Sequence, residues 1–261
     1  MDLKERQKKL SVYDHIFENE KVYYDKKKAT QRMELDLEKE QFFKKAYLKL
    51  KKLIGNVAGK KILDVGCGKG SFSIYLTQKG GDVIGIDLSS NFIEFCKEEA
   101  KKLDLKIDFV EMNAQIPDFP DETFDIIIGS RVIHHLPDMH LFFRECKRLL
   151  KKNGFIVFIE PLKKNPIVEL NRKYFAPKER TTHEHPLLFS DLKYAEKTFG
   201  NIEHEEFFLL SPLAMFFRRI IKRNSLFNLS YRLLNIVDKY LSKIEGLKRY
   251  CWQTVFKCIK L

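Results

Sequence analysis

The stretch "ILDVGCGKG", residues 62–70, decides how this chain is read. Ile62 and Leu63 run through Asp64 and Val65 into a turn where Gly66, Gly68 and Gly70 alternate with Cys67 and Lys69. A strand that ends in such a turn lets backbone approach a ligand, because glycine has no Cβ and adopts positive φ freely. Nucleotides, dinucleotides and other adenosyl cofactors all use turns of this kind. The spacing here brings the third glycine one residue short of GxGxxG, which argues against a dinucleotide.

Outward from the turn, strands and helices alternate. "KKILDV" reads as a buried strand and "GSFSIYLTQKG" as a helix closed by glycine. Strand "DVIGID", helix "NFIEFCKEEAKKL" and strand "KIDFVEM" follow, then a loop with two prolines. Strand "FDIIIGS", helix "MHLFFRECKRLLKK" (139–152) and strand "GFIVFIEP" come next. Helix "SDLKYAEKTF" precedes strand "NIEHEEFFLL", and "YCWQTVFKCIKL" returns as a last, antiparallel strand. Before the turn, residues 32–54 show helical spacing and stop at Gly55. This pattern predicts an α/β fold, a doubly wound, mostly parallel sheet of seven strands covered on both faces.

The 261 residues, 44% of them hydrophobic, suit one large domain with appendages. The first ten residues, dominated by Lys, Glu and Gln, do not read as a secretory signal, and no uncharged apolar run of about 18 residues is present. Five cysteines without CxxC spacing point to reduced thiols and a cytoplasmic protein. The net charge of +12 is unevenly placed: residues 1–60 carry +6, 61–200 sum to zero, and 201–261 carry +6. A neutral middle with basic flanks suggests an accessory contact made by charge.

The second strand ends in Asp87, 17 residues after Gly70, where a carboxylate can accept from both hydroxyls of a ribose. Glycine-loop backbone near a helix N-terminus suits the carboxylate of an amino-acid moiety. These stretches resemble the class I S-adenosylmethionine-dependent methyltransferases. "ILDVGCGKGSF" is similar to their first motif and "VIGIDLS" to their acidic second-strand motif. "FVEMNAQIPDFPDETFDIIIGSRVIHHLPD" is similar to the segment that carries their adenine pocket and fourth strand. The resemblance covers residues 60–162 closely and the strand order to 210 more loosely.

The resemblance implies a Rossmann-like domain that uses S-adenosylmethionine. Gly66, Cys67 and Gly68 would line its methionine part, with Asp64 beneath the loop. Asp87 would hold the ribose and Leu88 pack on the adenine. Asn113, where many members have Asp, would accept from the adenine amino group, with Ala114 following. Ser130, at the end of the fourth strand, would lie beside the cofactor. No metal is implied.

The sulfonium carries an already activated methyl group, so a general base is needed only for an acceptor that must lose a proton. His135 is the candidate for that role, because it follows the fourth strand where such folds open their acceptor pocket. The alternative for His135 is a cap of the loop before Pro137 or packing against the cofactor; His134 precedes it at the same strand end. Tyr23 and Tyr24, in "KVYYDKKK", suit an N-terminal lid. His183, Glu184 and His185 lack a further spaced ligand and read as a loop rather than a metal site. Cys67 reads as a small residue in a tight turn.

Residues 212–248 are the unusual part. "PLAMFFRRIIKR" sets Leu213, Phe216, Phe217, Ile220 and Ile221 on one helical side, largely opposite Arg218, Arg219, Lys222 and Arg223. A second helical segment carries Leu229, Leu233, Ile236, Val237, Tyr240 and Ile244 at matching spacing. The chain thus divides into an N-terminal helical or lid segment (1–58), a cofactor-binding core (59–211), a basic amphipathic helical insertion (212–248) and a final core strand (249–261). The insertion reads as a cover on the sheet edge, a lid for a lipophilic acceptor, or a peripheral membrane contact. The functional expectation is methyl transfer to a small or lipid-linked acceptor, at oxygen, in a cytoplasmic protein with peripheral membrane association. An RNA methyltransferase, favoured by the charge, and a non-catalytic cofactor-binding scaffold are the alternatives.

Overall fold

The computed structural model describes residues 11–27, 43–175, 184–215 and 224–261. Seven strands form one sheet: β1 (Lys61–Val65), β2 (Asp82–Asp87), β3 (Asp108–Glu111), β4 (Phe124–Ser130), β5 (Leu150–Pro161), β6 (Glu203–Phe207) and β7 (Gln253–Ile259). Their order is β3-β2-β1-β4-β5-β7-β6. The first five run parallel to their neighbours, and β7 enters antiparallel between β5 and β6. The sheet is therefore the doubly wound one the alternation predicts, with the last strand reversed.

Both faces of the sheet are buried, and the period of two along each strand divides the core. Leu63, Ile127, Ile156 and Phe158 join one apolar cluster. Their neighbours Ile62, Ile126, Ile128, Val157 and Ile159 join the other. Each fully buried Ile or Phe contributes roughly 1.5–3 kcal/mol relative to exposure, which is why continuous apolar strands occupy the middle of such a sheet. Helices α1 (Asp14–Asp25), α2 (Lys44–Ile54), α3 (Ser71–Gln78), α4 (Ser90–Lys102), α5 (Met139–Leu149), α6 (Pro166–Phe175), α7 (Leu192–Phe199) and α8 (Asn224–Leu241) surround it.

Three local readings need correction. The helix expected over 139–152 stops at Leu149, because Leu150 turns extended and pairs with Phe124 as the first residue of β5. Helix α6 was signalled by Asn165-Pro166 but not anticipated. The Asn165 side chain accepts from Val168 N at 3.0 Å while proline fills the first helical position, where no N–H is needed. The helix expected over 32–54 is described from Lys44 to Ile54, and residues 32–42 lie outside the described residues. Between β6 and β7, α8 supplies the expected helical insertion. The first insertion segment is described only to Met215, so Phe216 to Arg223 also lie outside.

The order of strands reverses between β1 and β4, so the loops leaving their C-terminal ends diverge. A doubly wound sheet opens its ligand crevice at that switch point.

Candidate active site

At the switch point lies a cavity of about 220 Å³. Its floor comes from Gly66 and Gly68 after β1, Ile86 to Leu88 at the end of β2, Met112 and Ala114 after β3, and Ser130 to Val132 after β4. Its fourth side comes from Phe17, Glu20 and Tyr24 of α1. These three stand at i, i+3 and i+7, which places them on one helical face. Helix α1 is tied down at its end by Asp25, whose carboxylate accepts from Ser89 Oγ at 2.6 Å and whose carbonyl accepts from Asn91 Nδ2 at 2.5 Å. Lys21 also pairs with Glu111 of β3.

The glycine turn is held from below and from behind. Gly66 has φ +64°, and a Cβ there would stand 2.6 Å from Val132 Cγ2, so a side chain would close the approach between the β1 and β4 loops. Gly70 starts α3 at φ +72°, with Cys96 Sγ 2.9 Å from where its Cβ would be. Asp64, 2% exposed, accepts from Ser73 Oγ at 2.6 Å and so ties β1 to α3. Burial pushes its carboxyl up to about 6, against the Ser73 hydrogen bonds that favour the anion. Asp87 binds the turn itself: Oδ2 accepts from Gly68 N and Oδ1 from Ser89 N, each at 2.9 Å. Burial raises its carboxyl above the ordinary range, opposed by these backbone N–H groups and by His135.

His135 lines the same cavity. Its Nε2 lies 3.1 Å from the Tyr24 hydroxyl and its Nδ1 3.1 Å from Glu20 Oε2. Glu20 is 3% exposed, and neither of its oxygens accepts a hydrogen bond among the described residues. Burial first, and then the negative charges of Glu20 and Glu184, hold the Tyr24 hydroxyl well above its usual range, so it is a neutral donor. His134 is different. Its Nδ1 lies 2.7 Å from Glu160 Oε2, while Glu160 Oε1 accepts from Val132 N and Ile133 N. A fully buried carboxylate with three donors fixes the turn after β4, and that turn aims His135. Arg131, at φ +58°, lines the cavity with its guanidinium 4.7 Å from the Phe43 ring centre.

Of the residues singled out in the sequence, Gly66, Gly68, Asp87, Leu88, Ala114, Ser130 and His135 line one cavity. Three do not. Cys67 packs its side chain against Ile93, Cys96, Ala100 and Phe109, on the far side of the turn. The hydrogen bond with neighbouring Cys96, and then burial, push its thiol well up. Asp64 lies below the loop and supports it. Asn113 spends its side-chain oxygen on Gln115 N at 2.9 Å, an Asx turn that leaves Met112 and Ala114 at the cavity. Of the two tyrosines, Tyr24 faces the cavity, whereas Tyr23 meets the Tyr24 ring edge-on at 5.1 Å. His183 lies outside the described residues, and His185 N donates to His134 O at 3.0 Å. Sequence reasoning missed Phe17, Glu20 and Arg131. The helical spacing of Phe17, Glu20 and Tyr24 was a usable signal; the positive φ of Arg131 had none.

The polar atoms match an adenosyl amino-acid ligand. Asp87 ends β2 at the cavity with a carboxylate for two ribose hydroxyls. Ile86, Leu88, Met112, Ala114 and Leu136 make an apolar slot for a base, and a Cβ-free loop admits a close approach.

Comparisons with known proteins agree with this geometry. Residues 63–158 match the family described as a methyltransferase domain. The chain is 42% identical over 105 residues to the ubiquinone biosynthesis O-methyltransferase of Pelagibacter ubique, over 40% of this chain and 42% of that protein. It is 37% identical over 103 residues to phosphoethanolamine N-methyltransferase 3 of Arabidopsis thaliana, over 39% of this chain and 21% of that protein. The chain thus spans less than half the length of these curated relatives. In fold it is similar to phosphoethanolamine N-methyltransferase 2 of Haemonchus contortus, solved with phosphomonomethylethanolamine and S-adenosylhomocysteine. That match has a TM-score of 0.59 at 20% identity and covers 92% of this chain and 59% of that one.

Proposed function

For a chain whose residues 63–158 match the methyltransferase-domain family and whose fold is that of the class I S-adenosylmethionine-dependent methyltransferases, we propose methyl transfer from S-adenosylmethionine to a small or lipid-linked acceptor, at oxygen. The observation that carries the reading is His135, set between Glu20 and Tyr24 in the cavity that the glycine loop also lines.

S-adenosylmethionine supplies, when bound, a methyl group activated on a sulfonium for in-line displacement. What remains for this chain is alignment and proton handling. Asp87 would hold the ribose through its carboxylate, and the open backbone of Gly66 and Gly68 would take the amino-acid end. Phe17 and Phe92, which line the same cavity, would exclude water from it. A hydroxyl acceptor that reaches the imidazole at Nε2, directly or through the Tyr24 hydroxyl, delivers its proton there. Glu20, beside Nδ1, then stabilises the imidazolium.

An amine acceptor is the second reading, and Glu20 favours it, since its oxygens accept no hydrogen bond among the described residues and a cationic nitrogen would donate to them. The relatives carry names of both kinds. Calorimetry should detect S-adenosylmethionine and S-adenosylhomocysteine but not NAD; heat with NAD alone would overturn the cofactor assignment. Labelled methyl transfer to small phenols, compared with small phosphoamines, separates oxygen from nitrogen. Transfer to the amines with none to the phenols would exclude the first reading.

A further inference from the structure

Helix α8 has two apolar faces, and the domain uses one of them. Phe227, Tyr231, Asn235 and Asp238 are buried. Asp238 accepts from Leu210 N at 2.7 Å and Ser211 N at 3.0 Å, and Lys45 Nζ donates to Asn235 O at 2.9 Å. The inner face is therefore anchored. On the outer face Leu226, Leu229, Leu233, Ile236, Val237 and Tyr240 are each between 41% and 65% exposed. Their spacing of three and four residues gathers them into one stripe along a helix about 27 Å long.

We propose that this outer face docks on an anionic membrane surface. Charge selects the occupant. Arg232 and Lys239, a heptad apart, lie along one edge of the stripe by helical spacing, and Lys243 follows in the turn after the helix. Residues 212–248 hold eight Lys and Arg against two Asp and Glu. Pairing with a second copy would bring two such basic segments together, and their repulsion opposes it. An anionic lipid surface neutralises the same charge while taking up the apolar stripe. At the same edge a cleft of about 500 Å³ is lined by Lys45, Lys239, Lys243 and Lys248, facing Glu205, Glu206 and Asp238. Among the described residues no helix is long and apolar enough to cross a membrane, so α8 would lie in the interface plane. The docking is independent of the methyl transfer proposed above, because none of these residues lines the cofactor cavity.

The test is co-sedimentation of the whole protein with vesicles of phosphatidylglycerol and phosphatidylcholine, and of phosphatidylcholine alone. The protein should pellet with the anionic vesicles at low salt. It should be released at about 0.5 M salt, where the screening length falls to about 4 Å. Replacing Arg232, Lys239 and Lys243 by Gln should weaken partitioning roughly fivefold per residue, about a hundredfold together. Replacing Leu229, Leu233 and Ile236 by Gln should abolish it. Unchanged S-adenosylhomocysteine affinity in both variants controls for folding. Soluble wild-type protein in the presence of anionic vesicles overturns the proposal, whether it elutes as a monomer or as a dimer that the apolar variant dissolves. Equal pelleting with phosphatidylcholine alone overturns the role of charge.

Discussion

The two walls of the cavity satisfy their polar groups in opposite ways. On the glycine-loop wall each carboxylate is already bonded within the fold, Asp64 to Ser73 and Asp87 to Gly68 and Ser89. On the α1 wall Glu20 is as deeply buried, yet its oxygens accept no hydrogen bond among the described residues. The first wall is preorganised and its shape does not depend on what enters. The second holds a buried carboxyl that accepts no hydrogen bond among the described residues, although His135 Nδ1 lies 3.1 Å from one of its oxygens. A wall built for a constant cofactor can be rigid, whereas one that handles an acceptor and its proton must keep a charge in reserve.

The sharpest way to break this comparison is His135→Ala. Turnover should fall on the order of 10²–10⁴-fold if the imidazole takes the acceptor proton, with affinity for S-adenosylhomocysteine nearly unchanged. Steady-state rates beside calorimetry check it; equal losses in both would move His135 to the cofactor wall. Asp87→Ala should do the reverse, weakening S-adenosylhomocysteine by about 1.5–3 kcal/mol through lost hydrogen bonds to a charged acceptor. Undiminished affinity in the folded variant would mean another group holds the ribose.

Asp64 sharpens the comparison through pH. Its folded carboxyl, near 6, lies above the ordinary aspartate value of about 4, so the native state binds more proton between these limits. Stability should therefore fall as pH rises from about 4 to about 6 and stay lower above that. Asp64→Asn should remove this part of the profile, about 2 kcal/mol in urea melts compared across the window. The smallest effect concerns Glu20. Glu20→Gln should stabilise the ligand-free protein by about 1 kcal/mol, because a neutral amide is less costly to leave unpaired than a carboxylate. It should also lower turnover, by less than His135→Ala. A thermal melt and a rate measurement that both decline would show that Glu20 supports the fold instead.

The core was legible because it repeats. Strands with both faces apolar, helices closed by Gly, and a glycine turn followed by Asp87 are local patterns set by backbone geometry. Gly66, Gly68, Asp87, Leu88, Ala114, Ser130 and His135, which those patterns single out, line one cavity. Cys67 and Asn113 sit in the same motifs and do not line it. A motif places a residue along the chain, but the direction of its side chain depends on what packs beside it. In this structure that is Cys96 and Phe109 for Cys67, and Gln115 N for Asn113.

The sequence by itself determined the sheet, its seven strands, the glycine turn with its acid, and the basic amphipathic insertion. These follow from spacing, and spacing is a one-dimensional property. Tertiary structure alone decided that Glu20, 115 positions before His135, stands 3.1 Å from its ring. It also decided that His134 is spent on Glu160 and that α8 turns its second apolar face outward. Such facts depend on the packing of α1 over the switch point and of α8 on the β6 edge. That packing is the sum of many weak contacts between distant segments, and no local pattern encodes it.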